Sequence, residues 1–408
     1  MAVSATDLQA RFDPSDPGFV RNANAVYADL RDRAPVLYHE PTDHWLISRY
    51  ADVQAVLKDR RFGRTYLHVA THREMGRPVP PDWHDPFWWL INNGILDMEP
   101  PQHTRVRRLV SKAFTPRMVE ALRPKVQAIT KGLLDAVQQA GEFDLIADVA
   151  EPLPVTVIAE MLGVPEADRH LLRPWSSEIC LMYELHPTEE HQRRSVAASR
   201  DFADYLRELE RERRANPGQD LISALAQVVD GGERLSEGEL IGTCVLLLNA
   251  GHEATVNATG LAWWSLFHHP RELARLRADH SLIPTAVEEL LRFESPLPMF
   301  ERWVLEDVEL HGVRIPRGAE LGLLYASANR DPAVFDQPEE LRLSRDNNQH
   351  LTFGHGIHFC LGAPLARVEL ATSFSAILRR LPGLHLVREP EFKPNYILRG
   401  LQELRVRA

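Results

Sequence analysis

A chain of 408 residues, 44% of them hydrophobic, has the length and apolar content to bury a sizeable core. Its 47 Lys and Arg against 57 Asp and Glu leave a net charge of -10, which argues against general nucleic-acid binding. Cys180, Cys244 and Cys360 are too few and too far apart for a disulfide framework and fit a reducing cytoplasm, and no run of eighteen apolar residues offers a membrane anchor.

The first 14 residues mix small, polar and charged types, without a basic region leading into an apolar run and without a cleavage-site pattern. Residues 24–34 read as a short helix. His44-Trp45-Leu46-Ile47-Ser48 reads as a strand after the turn-forming Pro41-Thr42-Asp43, and 51–59 is again helical. Between 64 and 101 periodicity fails. That stretch carries several prolines with Trp83, Phe87, Trp88, Trp89, Leu90 and Ile91, and so aromatic a loop must pack against something.

A helix opens after Pro100-Pro101. His103 and Arg107, four apart, share one face of it. Arg105, Arg108, Lys112 and Arg117 add positive charge, which suits an acidic partner or is simply a solvated face. Residues 118–140 and 146–163 read as helices, whereas 171–187 mixes Trp175, Ile179, Cys180, Leu181, Met182, Tyr183 and Leu185 without clean periodicity. A charged amphipathic helix over 193–214 stops at Asn216-Pro217-Gly218, and 221–229 is another. There is no internal repeat and no low-complexity linker.

Residues 236–268 form a long helical pattern, with Ser236 and Glu239 spaced as a capping box. Its middle reads Ala250-Gly251-His252-Glu253-Ala254-Thr255. Gly251 there costs about 1 kcal/mol relative to alanine and so answers a packing or functional need. Glu253 is an acid in an apolar segment, facing either solvent or a site. Glu289 and Arg292, three apart on the next helix, are placed for a bidentate pair. Residues 308–315 are strand-like.

Near the C-terminus, Cys360 sits among glycines and aromatics in Phe353-Gly354-His355-Gly356-Ile357-His358-Phe359-Cys360-Leu361-Gly362. A helix over 363–381 follows, with Pro364 near its start. A lone cysteine is most often a small buried apolar residue. Here, glycines free the backbone to aim N–H groups at the sulfur, and a helix N-terminus follows; both favour a thiolate, a soft metal ligand.

This segment resembles the haem signature of the cytochrome P450 superfamily, Phe-Gly-x-Gly-x-His-x-Cys-x-Gly, matched at Phe353, Gly354, Gly356, His358, Cys360 and Gly362. Ala366 and Glu369 fit its continuation. The resemblance runs from about residue 20 onward, leaving 1–20 as an extension. It implies one mainly α domain with small β-sheets over 1–408. Haem b (iron protoporphyrin IX) would lie between the long central helix and the 353–362 loop, with Cys360 as metal ligand.

Carried over residue by residue, the resemblance implies that His358, His103, Arg107 and Arg302 hold the propionates. Phe353 and Gly354 shape the loop, and small Ala250 and Gly251 let the macrocycle lie against the long helix. The stretches 64–101 and 171–190 become the loops and lid of a substrate pocket lined by Trp88, Trp89, Ile91, Leu247, Leu297, Met299, Phe300 and Ile397. Alternatively the tryptophans only staple a loop, and Met299 and Phe300 are ordinary core. Glu289 and Arg292 form a structural pair, completed by an arginine near 329–332 or by Arg342 or Arg345.

One departure stands out. The family pattern Ala-Gly-x-acid-Thr-Thr has a threonine where this chain has Ala254, and a methyl group neither donates nor accepts a hydrogen bond. Proton delivery to dioxygen then falls to Glu253, Thr255, ordered water or a polar group of the substrate itself. Peroxide-using relatives tend to lose the acid as well; Glu253 is retained, which favours dioxygen. The expectation is a cytoplasmic, monomeric monooxygenase of the soluble bacterial type. It would act on an apolar small molecule such as a macrolide, polyketide, terpenoid or fatty acid. Electrons would come from a separate ferredoxin or flavodoxin and its NAD(P)H-dependent reductase, since four clustered cysteines for an iron–sulfur domain are absent. Peroxide-driven oxidation, oxidative coupling and a non-catalytic haem sensor are the alternatives.

Overall fold

Ser236 caps the longest helix, Glu237–His268: its hydroxyl accepts the Glu239 N–H at 3.1 Å, while the Glu239 carboxylate accepts the Ser236 N–H at 2.9 Å. In the computed structural model, which describes residues 5–408, this helix spans about 48 Å and is buried along most of its length. Its first half is surrounded by helices Asp85–Asn92, Pro152–Leu162, Arg169–Cys180 and Glu189–Ala215; its second half meets Ile283–Phe293 and Ala363–Arg380. Two apolar clusters follow that division. One gathers Leu153, Ile158, Phe202 and Leu248, and the other Trp263, Leu266, Leu290 and Phe374.

The main sheet has five strands in the order Val36–His39, His44–Ile47, Glu320–Leu323, Phe300–Val304 and Phe62–Gly63. All neighbours are antiparallel except His44–Ile47 with Glu320–Leu323, where Trp45 lies opposite Leu321. A three-stranded sheet joins Glu142–Asp144, Arg405–Arg407 and His385–Leu386, and the strand-like 308–315 is a hairpin of Val308–Leu310 with Val313–Ile315. Among the described residues no helix is long and apolar enough to cross a membrane.

Four segments depart from the sequence reading. The 64–101 stretch contains a helix, Asp85–Asn92, flanked by single turns at Asp82–His84 and Ile95–Asp97. Residues 171–190 begin inside helix Arg169–Cys180, whose buried Leu172, Ser176, Ile179 and Cys180 follow helical spacing; the polar Ser176 and internal Pro174 mask the pattern. Residues 146–163 divide into one wide turn at Ile146–Ala150 and helix Pro152–Leu162, broken where proline lacks an N–H. Of the expected 1–20 extension, residues 1–4 lie outside the described residues. From Ala5–Arg11 and Pro17–Arg21 it is part of the fold, burying Leu8, Phe12 and Phe19 with Tyr27 and Tyr396.

Candidate active site

The cysteine loop is built from backbone. Cys360 N–H donates to Phe353 O at 2.9 Å, and Gly354 N–H donates to Leu351 O at 2.7 Å. Gly354 and Gly356 have φ of 69° and 72°, and a Cβ on Gly356 would come within 2.3 Å of Leu57 O, so only glycine lets the loop seat on helix Tyr50–Lys58. The Cys360 thiol is pushed up by burial and pulled back by the N–H groups of Gly362 and Ala363 and by the charges of Arg107 and Arg367. Those groups are the ones that stabilise a thiolate once a metal removes the proton.

On the long helix, Leu247, Ala250, Gly251 and Ala254 recur at spacings of three and four, and all are partly or fully exposed inside a ring of other elements. Ala250 is the most open of them, so this stripe borders an internal space. Glu253 and Thr255, both buried, flank Ala254 on either side of the stripe.

Beside the cysteine loop two basic side chains, His103 and Arg302, lack anionic partners, and a third, His358, has only the Glu99 carboxylate within ion-pair distance. His103 is buried with neither ring nitrogen hydrogen-bonded, and burial, with His358 and Arg107 nearby, pushes it down to about 4. His358 lies with its ring 4.4 Å from that of His103; its Nε2 is unpartnered, 3.6 Å from Glu99 Oε1. Arg302 is buried and donates only to Glu301 O, at 2.8 Å, and burial lowers it to about 10. Among the described residues no carboxylate pairs with it. Leaving such donors unpaired is costly, and two carboxylates would satisfy them. A soft sulfur ligand, an open stripe of small residues and unpaired basic groups together fit an iron macrocycle carrying two carboxylates.

The acid turns away from the stripe. Glu253 Oε1 accepts from Ser177 Oγ at 2.8 Å, and Oε2 lies 3.6 Å from Lys393 Nζ. Burial raises it, but Lys393, His252 and Ser177 outweigh that and hold it ionised. Adjacent His252 is fully buried with both ring nitrogens unpartnered, and burial drives it down to about 4. Ser177 and Lys393 come from distant segments, and no local pattern marks them.

Several expected residues sit elsewhere. The missing Cβ of Gly251 points to Ile158 Cδ1 at 2.7 Å, so this glycine serves helix packing and Ala250 presents the open surface. Trp89 faces outward, 38% exposed beneath Arg207, and Met299 is fully buried in the N-terminal cluster against Gly322. Ile397 is buried in that same cluster, its N–H on Glu184. Trp88, Ile91 and Leu247 pack at the edge of the upper apolar cluster; Leu297 and Phe300 are half-buried, with Arg64 stacked over Phe300 at 4.4 Å. Arg107 donates to Phe359 O at 2.8 Å, bracing the cysteine loop. The basic patch is largely neutralised internally: Arg105 pairs with Glu239, Arg108 with Asp230 and Glu233, and Lys112 with Asp230. Arg345, not Arg342, completes the Glu289–Arg292 pair by side chain, at 2.9 Å; Arg342 offers only its backbone N–H.

A family model described as Cytochrome P450 matches residues 35–394. The polyketide biosynthesis cytochrome P450 PksS of Bacillus subtilis (strain 168) is 37% identical over 405 residues, 97% of this chain and 98% of that one. The 6-deoxyerythronolide B hydroxylase of Saccharopolyspora erythraea is 40% identical over 392 residues, 94% and 95% of the two chains. The crystal structure of P450BioI in complex with a hexadec-9Z-enoic acid ligated acyl carrier protein matches with a TM-score of 0.89 at 35% identity, covering 97% of this chain and 100% of that one. With the thiol loop, the open stripe and the unpaired basic groups already in place, these likenesses settle the identity: the chain belongs to the cytochrome P450 family and is a haem-thiolate monooxygenase.

Proposed function

We propose that this enzyme oxidises an apolar, hydroxyl-bearing substrate of the polyketide or macrolide type, using haem b held by Cys360 and a proton route completed by the substrate. The observation that carries this is Ala254, a methyl on the open stripe where a hydroxyl is expected. Haem, when bound, would supply a reducible iron for dioxygen chemistry, aided by thiolate donation. Cys360 is held for that role by the Gly362 and Ala363 N–H groups. Arg302 would supply positive charge to the two carboxylates and His103 and His358 hydrogen-bond donors, while Phe353 and Gly354 keep the loop in shape.

Glu253, ionised against Lys393 and Ser177, can take and release a proton at Oε1, yet it is directed off the stripe. A hydroxyl carried by the substrate, with water, bridges that gap. Retention of this acid favours dioxygen over peroxide. Trp88, Ile91, Leu247, Leu297 and Phe300 give an apolar lining, and the names of PksS and the 6-deoxyerythronolide B hydroxylase support the substrate class. Electrons come from a separate ferredoxin or flavodoxin and its NAD(P)H-dependent reductase. That carrier docks where Ile357 and Phe359 stand exposed beside Cys360. The reducing cytoplasm suits Cys180 and Cys244, both buried and free.

The test is Ala254→Thr, measured as the fraction of NADH electrons recovered in product with a surrogate ferredoxin system. The added hydroxyl displaces the substrate's own, so coupling falls with the hydroxylated substrate. Unchanged or improved coupling contradicts the reading.

A further inference from the structure

The five-stranded sheet carries a second group of ligating side chains, on the face opposite to Arg302. Trp45 pairs with Leu321, Trp303 with Glu320 and Glu301 with Gly322. Strand alternation therefore places His44, Glu320 and Glu301, from three adjacent strands, on one face and Arg302 on the other. One ligating atom from each of the three lies within 4.8 Å of the others.

His44 Nδ1 is bonded to Thr42 O, which can only accept, so Nδ1 carries the hydrogen and Nε2 a free lone pair. That Nε2 has no hydrogen-bond partner although His44 is only 7% exposed, and it lies 3.9 Å from Glu320 Oε2. Among the described residues no hydrogen bond reaches the carboxylate of Glu301 or Glu320. The nearest cations are engaged elsewhere: Arg77 with Asp43 and Gly318 O, Arg64 with Asp97 and Glu301 O. Burial and the charge of Glu301, with Asp43 adding to them against Arg77 and Arg64, push Glu320 up to about 8.

We propose that His44, Glu301 and Glu320 bind one divalent transition-metal ion, with zinc as its representative. One imidazole and two carboxylates are an ordinary zinc donor set that leaves a position for water. The Nδ1–H bond to Thr42 O orients the ring in the manner of metal-bound histidines. The metal cross-links three strands, one of which carries Arg302 on its other face.

Zinc binding to the full-length, haem-loaded protein, first stripped with a chelator, tests this by elemental analysis after gel filtration and by calorimetry at pH 7. The wild type should hold one more equivalent than Glu320→Gln or His44→Ala, with at least a tenfold loss of affinity in either variant. Glu301→Gln, isosteric, keeps the test open should His44→Ala fold poorly. Equal zinc in the wild type and all variants, meaning adventitious surface histidines only, overturns the proposal. So does a wild type that takes up none.

Discussion

Replacing Cys360 by serine changes one atom and removes the thiol from the 353–362 loop. Haem retention and the thiolate spectrum should both be lost, while the fold, measured by far-ultraviolet circular dichroism, remains. On the proposed reading the basic groups behave differently, because each would supply one charge-assisted hydrogen bond of about 1.5–3 kcal/mol to a haem carboxylate. Arg302→Leu and His103→Leu should each speed haem transfer to a scavenging apoprotein by about ten- to a hundredfold; wild-type rates would remove these residues from the haem contacts. At this scale the sequence was most informative where backbone geometry dictates residue type. The glycines around Cys360 are legible because positive φ and contact with Leu57 O tolerate nothing else. Gly251 was legible as a needed glycine but not in its purpose, since its partner Ile158 lies on another helix.

Among elements, the helix Ile283–Phe293 and the segment 336–348 are joined through Glu289. Its carboxylate accepts from Arg292 at 2.8 and 2.9 Å, from Arg345 at 2.9 Å and from Asn348 at 3.0 Å, and both Glu289 and Arg292 are fully buried. Removing the shared carboxylate leaves the fully buried Arg292 uncompensated. Glu289→Gln should therefore cost about 3–5 kcal/mol in equilibrium denaturation; a loss below 1 kcal/mol, the size of an exposed pair, contradicts this role. Ser236→Ala should cost about 1 kcal/mol by removing half of the capping box. Caps and charged pairs within one helix are local, so sequence spacing reveals both. Arg345 was undecidable beside Arg342 because a loop, with no period, decides which side chain turns inward.

Across the whole molecule, charge organisation is where sequence and structure diverge most. The Arg105, Arg108 and Lys112 cluster looked like a docking surface because their partners Asp230, Glu233 and Glu239 lie more than a hundred residues away. The fold class, the long helix and the cysteine loop were legible; the parallel pairing of His44–Ile47 with Glu320–Leu323 was not, since register across so long a separation leaves no periodic mark. Such long-range pairing also sets acid stability. Burial opposes ionisation of Glu288, but bidentate Arg367 and His350 outweigh it and hold the carboxyl at about 2, against 4.5 when unfolded. This depressed carboxyl stabilises the fold above pH 4.5 and loses that contribution as pH falls toward 2. Glu288→Gln should flatten the dependence of the urea midpoint on pH across that window; an unchanged slope contradicts the pairing. The central claim is that Cys360, in a fold of this family, presents a thiolate to haem iron. Its most direct test is the absorption spectrum of the reduced holoprotein under carbon monoxide: the account predicts the strongly red-shifted Soret band of a thiolate-ligated haem. A band at the position of histidine-ligated haem, in freshly reduced and folded protein, would contradict it.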